Sequence, residues 1–68
     1  MRFTLQDARR MLLCSIAQIE KLPDRKGSCC IVYRGKPFFV WKAEPFVFIQ
    51  GNHFWSRTHR FLLSDIHE

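Results

Sequence analysis

The sequence predicts an α+β fold, with an N-terminal amphipathic helix packed on a strongly twisted antiparallel β-meander of four to five strands. Two observations predict it. Apolar residues recur with a helical period over residues 4–22, as an amphipathic helix requires. Residues 28–57 then form short runs rich in aromatic and β-branched side chains, and Gly and Pro residues separate these runs. With 68 residues, the chain has room for a single small domain.

The first element is a helix over residues 4–22. Thr4 followed by Asp7 resembles a capping box, and residues 1–3 supply a lead-in strand or a hydrophobic staple. Pro23 ends the helix, because proline has no backbone donor and restricts the residue before it. The stripe that we expect to face the sheet is Leu5, Ala8, Leu12, Ile16 and Ile19, flanked by Met11 and Leu22.

The sheet follows, with strands predicted at residues 28–34, 38–42, 46–50 and 53–58. Gly35 suits a two-residue hairpin loop in either of two registers, and Gly51-Asn52 suits a second tight hairpin. The period of residues 61–66 fits a fifth strand and a short helix equally well.

Successive side chains of a strand point to opposite faces of the sheet, and on this basis neither predicted hairpin has a polar face. In the first hairpin one face carries Cys29, Ile31, Tyr33, Phe38 and Val40, and the other carries Cys30, Val32, Phe39 and Trp41. In the second hairpin one face carries Phe46, Phe48 and Trp55, and the other carries Val47, Ile49 and Phe54. One helix covers one face of such a sheet. We therefore expect one of three outcomes for the other face. The sheet curls into a small barrel with some exposed rings, the face pairs with a second copy, or it remains a binding surface.

The positive charge belongs to the predicted sheet. The chain has a formal net charge of +5, and the segment from Arg25 to Arg60 holds seven basic residues and one acidic residue, Glu44. A basic sheet with aromatic residues is typical of polyanion-binding surfaces, although a solvated face that keeps the protein soluble has the same composition.

The favoured functional hypothesis is a non-catalytic module that binds nucleic acid or a nucleic-acid-handling complex. Strand aromatics stack bases while Lys and Arg neutralise phosphates. Tyr33 is a further aromatic residue that could stack a base. The candidate binding residues are Arg25, Lys26, Arg34, Lys36, Lys42, Trp41, Trp55, Arg57 and Arg60.

Two alternatives stay open. The first is a protein-directed inhibitor or regulator that docks through an aromatic sheet face, by analogy with accessory proteins of phages and plasmids. The second is a small ribonuclease that uses His53 and His59 with Arg57 and Arg60. On one straight strand the two histidines lie roughly 20 Å apart, which is too far for acid and base on one phosphate.

The three cysteines indicate reduced thiols in a cytoplasmic protein, because their number is odd and too small for a disulfide framework. The predicted helix places Cys14 among polar residues, so we expect an exposed thiol there. Adjacent Cys29 and Cys30 with spaced histidines fit zinc spacing poorly, and we expect no metal or cofactor. No apolar run reaches the length of a membrane span.

Overall fold

The computed structural model describes residues 3–13, 16–52 and 56–66. It confirms an α+β fold with a four-stranded antiparallel sheet in the order β1-β2-β3-β4, together with three short helices. Among these residues the sheet is open, with β1 and β4 at its edges. The elements are α1 (Leu5–Met11), α2 (Ile16–Glu20), β1 (Cys30–Tyr33), β2 (Lys36–Ala43), β3 (Phe46–Gly51), β4 (Thr58–Leu62) and α3 (Leu63–Ile66).

The capping box predicted at the start of the first helix is present. The Thr4 hydroxyl accepts from the backbone N–H of Asp7 at 3.3 Å, and the Asp7 carboxylate accepts from the backbone N–H of Thr4 at 3.0 Å. The pair satisfies two of the N–H groups that every helix start leaves without a partner inside the helix.

The single helix predicted over 4–22 is wrong. The chain leaves the helix after Met11, and Leu13 has a φ of +60°, which an α-helix does not contain. An unbroken helix of that span would measure about 28 Å at 1.5 Å per residue. The longest dimension of the described fold is 29 Å. Leu12 and Ile19, from either side of the break, both belong to the core.

The first hairpin adopts one of the two predicted registers. Tyr33 pairs with Lys36, so Arg34 and Gly35 form the two-residue loop, with φ values of +53° and +79°. Positive φ at both positions is the geometry of a type I′ turn, whose twist suits a hairpin. The predicted sharing of faces in this hairpin is confirmed, because Ile31 lies opposite Phe38.

The prediction of a second tight hairpin at Gly51-Asn52 is wrong. Gln50 pairs with Thr58, so the connection between β3 and β4 is longer than two residues and β4 begins where the predicted fourth strand ends. Gly51 has a different use: a Cβ placed there would lie 2.6 Å from Ser56 Oγ, so the absence of a side chain lets the connection approach the strand. The amide Nε2 of Gln50 donates to the carbonyl oxygen of Ser56 at 3.3 Å and ties the same two segments together. The remaining predicted strand positions, 53–55, lie outside the described residues.

The register divides the sheet into two faces. The inner face consists of Ile31, Tyr33, Lys36, Phe38, Val40, Lys42, Val47, Ile49, Gly51, His59 and Phe61. The outer face consists of Cys30, Val32, Pro37, Phe39, Trp41, Ala43, Phe46, Phe48, Gln50, Thr58, Arg60 and Leu62.

The hydrophobic core lies on the inner face. Val40, Val47 and Ile49 are fully buried, and they form one cluster with Leu12, at the end of α1, and Ile66 of α3. None of the described residues on the outer face is buried. The helices therefore close one apolar face of the sheet, and the other stays accessible in the part of the chain that the structure describes.

Candidate functional site

A groove of about 900 Å³ opens at the end of the inner face that holds the β1–β2 turn and the connection between β3 and β4. We call it the basic groove. Helix α1 forms one wall of it through Asp7. The described residues that line it are Phe3, Asp7, Tyr33, Arg34, Lys36, Pro37, Phe38, Gly51, Asn52, Ser56, Arg57, Thr58, His59, Arg60 and Phe61.

Four of the predicted cations line this groove: Arg60, described below, and a group of three. Arg34 lies in the β1–β2 turn, Lys36 begins β2, and Arg57 immediately precedes β4. All three are exposed. They come from segments up to 23 positions apart along the chain, and the antiparallel register brings those segments to one end of the sheet. The groove therefore carries a concentrated positive charge.

The floor of the groove is an aromatic cluster centred on Phe3. Its ring lies 4.9 Å from the ring of His59 in a stacked arrangement and 5.4 Å from that of Phe38, measured between centroids. The rings of Phe61 and Tyr33 follow at 6.2 Å and 6.3 Å. These separations lie within the range of favourable aromatic pairs. All five side chains are half-buried, so the cluster contributes to packing and also presents ring surface to the groove.

Asp7 is the only acid among the described lining residues. Its Oδ1 accepts a hydrogen bond from the Tyr33 hydroxyl at 2.8 Å, which connects α1 to β1 across the groove. The backbone N–H of Thr4, the Tyr33 hydroxyl and the positive charge of Arg34 lower the pKa of Asp7, outweighing the opposing effect of desolvation. The carboxylate is thus held in its ionised form.

His59 is the titratable ring of the cluster. Partial burial lowers its pKa, and the neighbouring charge of Arg57 lowers it further. The neutral form of the imidazole is therefore favoured at pH 7, and the ring stacks on that of Phe3. The second histidine of the ribonuclease hypothesis, His53, lies outside the described residues.

The other predicted site residues lie away from the groove lining or contribute their charge elsewhere. Arg25 and Lys26 are exposed in the segment before β1. Lys42 reaches back toward α2, where its Nζ lies 3.5 Å from the carbonyl oxygen of Glu20. Arg60 reaches the groove lining, but its guanidinium carbon lies 4.7 Å from the centre of the Phe46 ring. That ring lies on the outer face.

The outer face carries a second group of rings. Trp41 stacks on Phe48 with ring centroids 5.5 Å apart and planes inclined by 12°, and Phe46 lies 6.4 Å from Phe48. The rims of this face expose Val32 by 70% and Leu62 by 40%. Among its described residues Arg60 is the only charged one. The predicted site residue Trp55, assigned to the same face as Phe48, lies outside the described residues, as does Cys14.

Phe3 and Asp7 are groove residues that the sequence analysis did not include among its candidates. It placed Phe3 in a lead-in segment and Asp7 in a helix cap, and both local interpretations overlook contacts across more than 25 positions. No local periodicity or spacing carries that information, because the contacts depend on where the helix start meets the sheet.

Within residues 3–13, 16–52 and 56–66, no group of three His, Cys, Asp or Glu side chains is arranged to hold a metal ion. None of the described helices has the length and apolar character needed to cross a bilayer. Comparison of the chain with protein families, with curated proteins and with solved structures finds no match.

Proposed function

We propose that the protein is a non-catalytic binding module that holds nucleic acid, alone or within a nucleoprotein complex, in the basic groove. The observation that carries the proposal is the convergence of Arg34, Lys36 and Arg57 on one groove whose floor consists of aromatic rings. Cations supply phosphate contacts and rings supply stacking surface, and nucleic-acid binders combine the two.

The charge balance of the groove supports an anionic ligand. Four exposed cations, Arg60 included, outnumber the single carboxylate of Asp7 in the described lining, and the whole chain is basic, with a net charge of +5. Phosphate neutralisation of this kind gives sequence-independent affinities of about 10⁻⁴–10⁻⁶ M at physiological salt. The proposal expects a cytoplasmic location, where the exposed thiol of Cys30 stays reduced.

The test is a fluorescence-anisotropy titration of labelled oligonucleotides at several salt concentrations. The groove variant combines Lys36→Glu with Arg57→Glu, and the matched control combines Arg25→Glu with Lys26→Glu. Both double variants change the net charge equally at exposed positions, but only the first pair lines the groove. We expect the groove variant to bind more weakly, with a salt slope lower by about two, or about one per cation.

The control decides between a located site and a general charge effect. If the groove is the site, the Arg25 and Lys26 variant retains most of the affinity and the original salt slope. Equal losses in both variants would show that overall charge attracts the nucleic acid, and the groove would lose its assignment. Absence of binding at low salt in the unmodified protein would refute the proposal itself.

A second candidate function rests on the outer face. The stacked Trp41 and Phe48 and the exposed Val32 are typical of protein interfaces, where aromatic residues and Arg supply most of the binding energy. Because each copy carries a charge of +5, an acidic protein partner is favoured over a second copy, and its carboxylates would meet Arg60. Under this proposal the protein is an inhibitor or regulator that docks on its partner through the outer face. It predicts that Trp41→Ala abolishes capture of such a partner while the groove retains its nucleic-acid affinity.

A further inference from the structure

We infer that the basic groove takes single-stranded rather than duplex nucleic acid, and that it stacks at least one unpaired base on the cluster formed by Phe3 and its neighbours. The inference rests on the proposed function and specifies its ligand. It depends on where rings and charges lie relative to one another within the groove.

The rings form the floor and the cations lie on the rim. Phe3, Phe38 and His59 are half-buried, whereas Lys36 and Arg57 are exposed. A ligand whose phosphates meet the rim must therefore direct another group inward to reach the floor. In a duplex the bases are paired and stacked on each other, and their flat faces are inaccessible. A single strand can turn its bases away from the backbone and lay them against aromatic side chains.

The floor already contains a stack that a base can extend. The rings of Phe3 and His59 are inclined by 29° with centroids 4.9 Å apart, and both line the groove. The neutral state of His59 favours this use, because an uncharged imidazole packs on flat apolar rings without the cost of burying a charge. A base placed against either ring adds one more layer.

Asp7 makes the two sides of the groove chemically different. Its ionised carboxylate repels phosphate, and it lies on the α1 wall beside Phe3 and the Tyr33 hydroxyl. The exocyclic amines and ring N–H groups of bases are hydrogen-bond donors, and phosphate diesters have none. The acceptor and the rings therefore favour a base on the α1 side. The phosphates follow the side that carries Lys36 and Arg57.

The experiment compares ligands that share phosphates and differ in bases. The full chain is titrated with a single-stranded oligonucleotide, with the duplex of the same length, and with an abasic strand of the same length and charge. We expect the single strand to bind roughly tenfold or more tightly than the abasic strand, since each stacked base contributes about that factor. We also expect it to bind more tightly than the duplex, even though the duplex carries more charge.

Failure of this inference can be distinguished from failure of the proposed function. If the abasic strand or the duplex binds as tightly as the intact strand, base stacking is refuted. Loss of affinity in the Lys36→Glu, Arg57→Glu variant would still support phosphate binding in the groove. If no strand binds, both proposals fail.

A pair of variants then locates the stacking. Phe3→Leu removes the central ring of the floor, and Phe48→Leu makes the same change on the outer face, with circular dichroism checking the fold of each. We expect Phe3→Leu to lose most of the discrimination between intact and abasic strands, and Phe48→Leu to retain it. The reverse result would refute the assignment to the groove. If Phe3→Leu does not fold, the inference is decided by the abasic comparison on the unmodified protein and by His59→Leu.

Discussion

The two faces of the sheet have similar apolar content but different surroundings. On the inner face Val40 and Ile49 are fully buried beneath helical residues, and at one end of the same face cations surround the groove. On the outer face Trp41 and Phe48 stack on each other without burial, and Arg60 is the only charged residue described there. Alternation along a strand therefore tells which residues share a face. The neighbours of that face decide whether it becomes core, groove or exposed surface.

The largest expected effect tests that difference with one substitution at two positions. Val40→Thr replaces a buried methyl group with a hydroxyl that has no partner in the core, and we expect a loss of about 1–3 kcal/mol in the free energy of unfolding. Val32→Thr makes the same change at a side chain that is 70% exposed, with an expected effect of about 0.5 kcal/mol or less. Urea denaturation measures both. Similar losses at the two positions would mean that the outer face is also buried.

A smaller effect is expected from Arg60→Gln, which removes the cation above the ring of Phe46. Exposed interactions of this kind contribute about 0.5–1 kcal/mol to stability, and Gln keeps part of the aliphatic contact. Because the guanidinium lies on the outer face, the salt slope of oligonucleotide binding should stay unchanged. A slope that fell by about one would place the Arg60 charge in the groove.

The smallest expected effect concerns the Tyr33 hydroxyl. Tyr33→Phe removes a donor to Asp7, so we expect the pKa of Asp7 to rise toward its ordinary value, as measured by NMR titration of the carboxyl carbon. Because that pKa is lowered in the folded state, Asp7 stabilises the protein fully above the ordinary carboxyl pKa. This contribution is lost as the pH falls through the lowered value. An unchanged titration would show that the helix cap and the charge of Arg34 set the pKa without the Tyr33 hydroxyl.

Much of the fold could be predicted from the sequence because its signals are local. Gly35 between two apolar runs predicts a two-residue loop, and the structure has it at Arg34-Gly35. Gly51-Asn52 gives a similar signal but serves close approach to Ser56. A glycine needed for space looks the same in sequence as one needed for positive φ. The helix break at Leu13 has no signal in the apolar period either, because that period continues across the break and both Leu12 and Ile19 still join the core.

The candidate site was also only partly predictable, because residue types can be identified from the sequence and tertiary contacts cannot. Arg34, Lys36 and Arg57 could be selected as basic residues of the sheet, but the sequence grouped them with Arg25 and Lys26, which do not line the groove. The β3–β4 register, in which Gln50 pairs with Thr58, brings Arg57 to the groove, and a tight hairpin at Gly51-Asn52 predicts a different register. The aromatic floor also depends on tertiary contacts, since Phe3 meets the ring of His59 across 56 positions of sequence.

The most direct test of the central claim is NMR chemical-shift mapping of the full chain during titration with a single-stranded oligonucleotide. The proposed groove predicts shifts at the backbone amides of Tyr33, Lys36, Arg57 and His59, and at the ring of Phe3. It also predicts that outer-face amides such as those of Val32 and Phe48 change little. Shifts concentrated on the outer face, with the groove amides unchanged, would contradict this account and assign the nucleic-acid surface to the opposite side of the sheet.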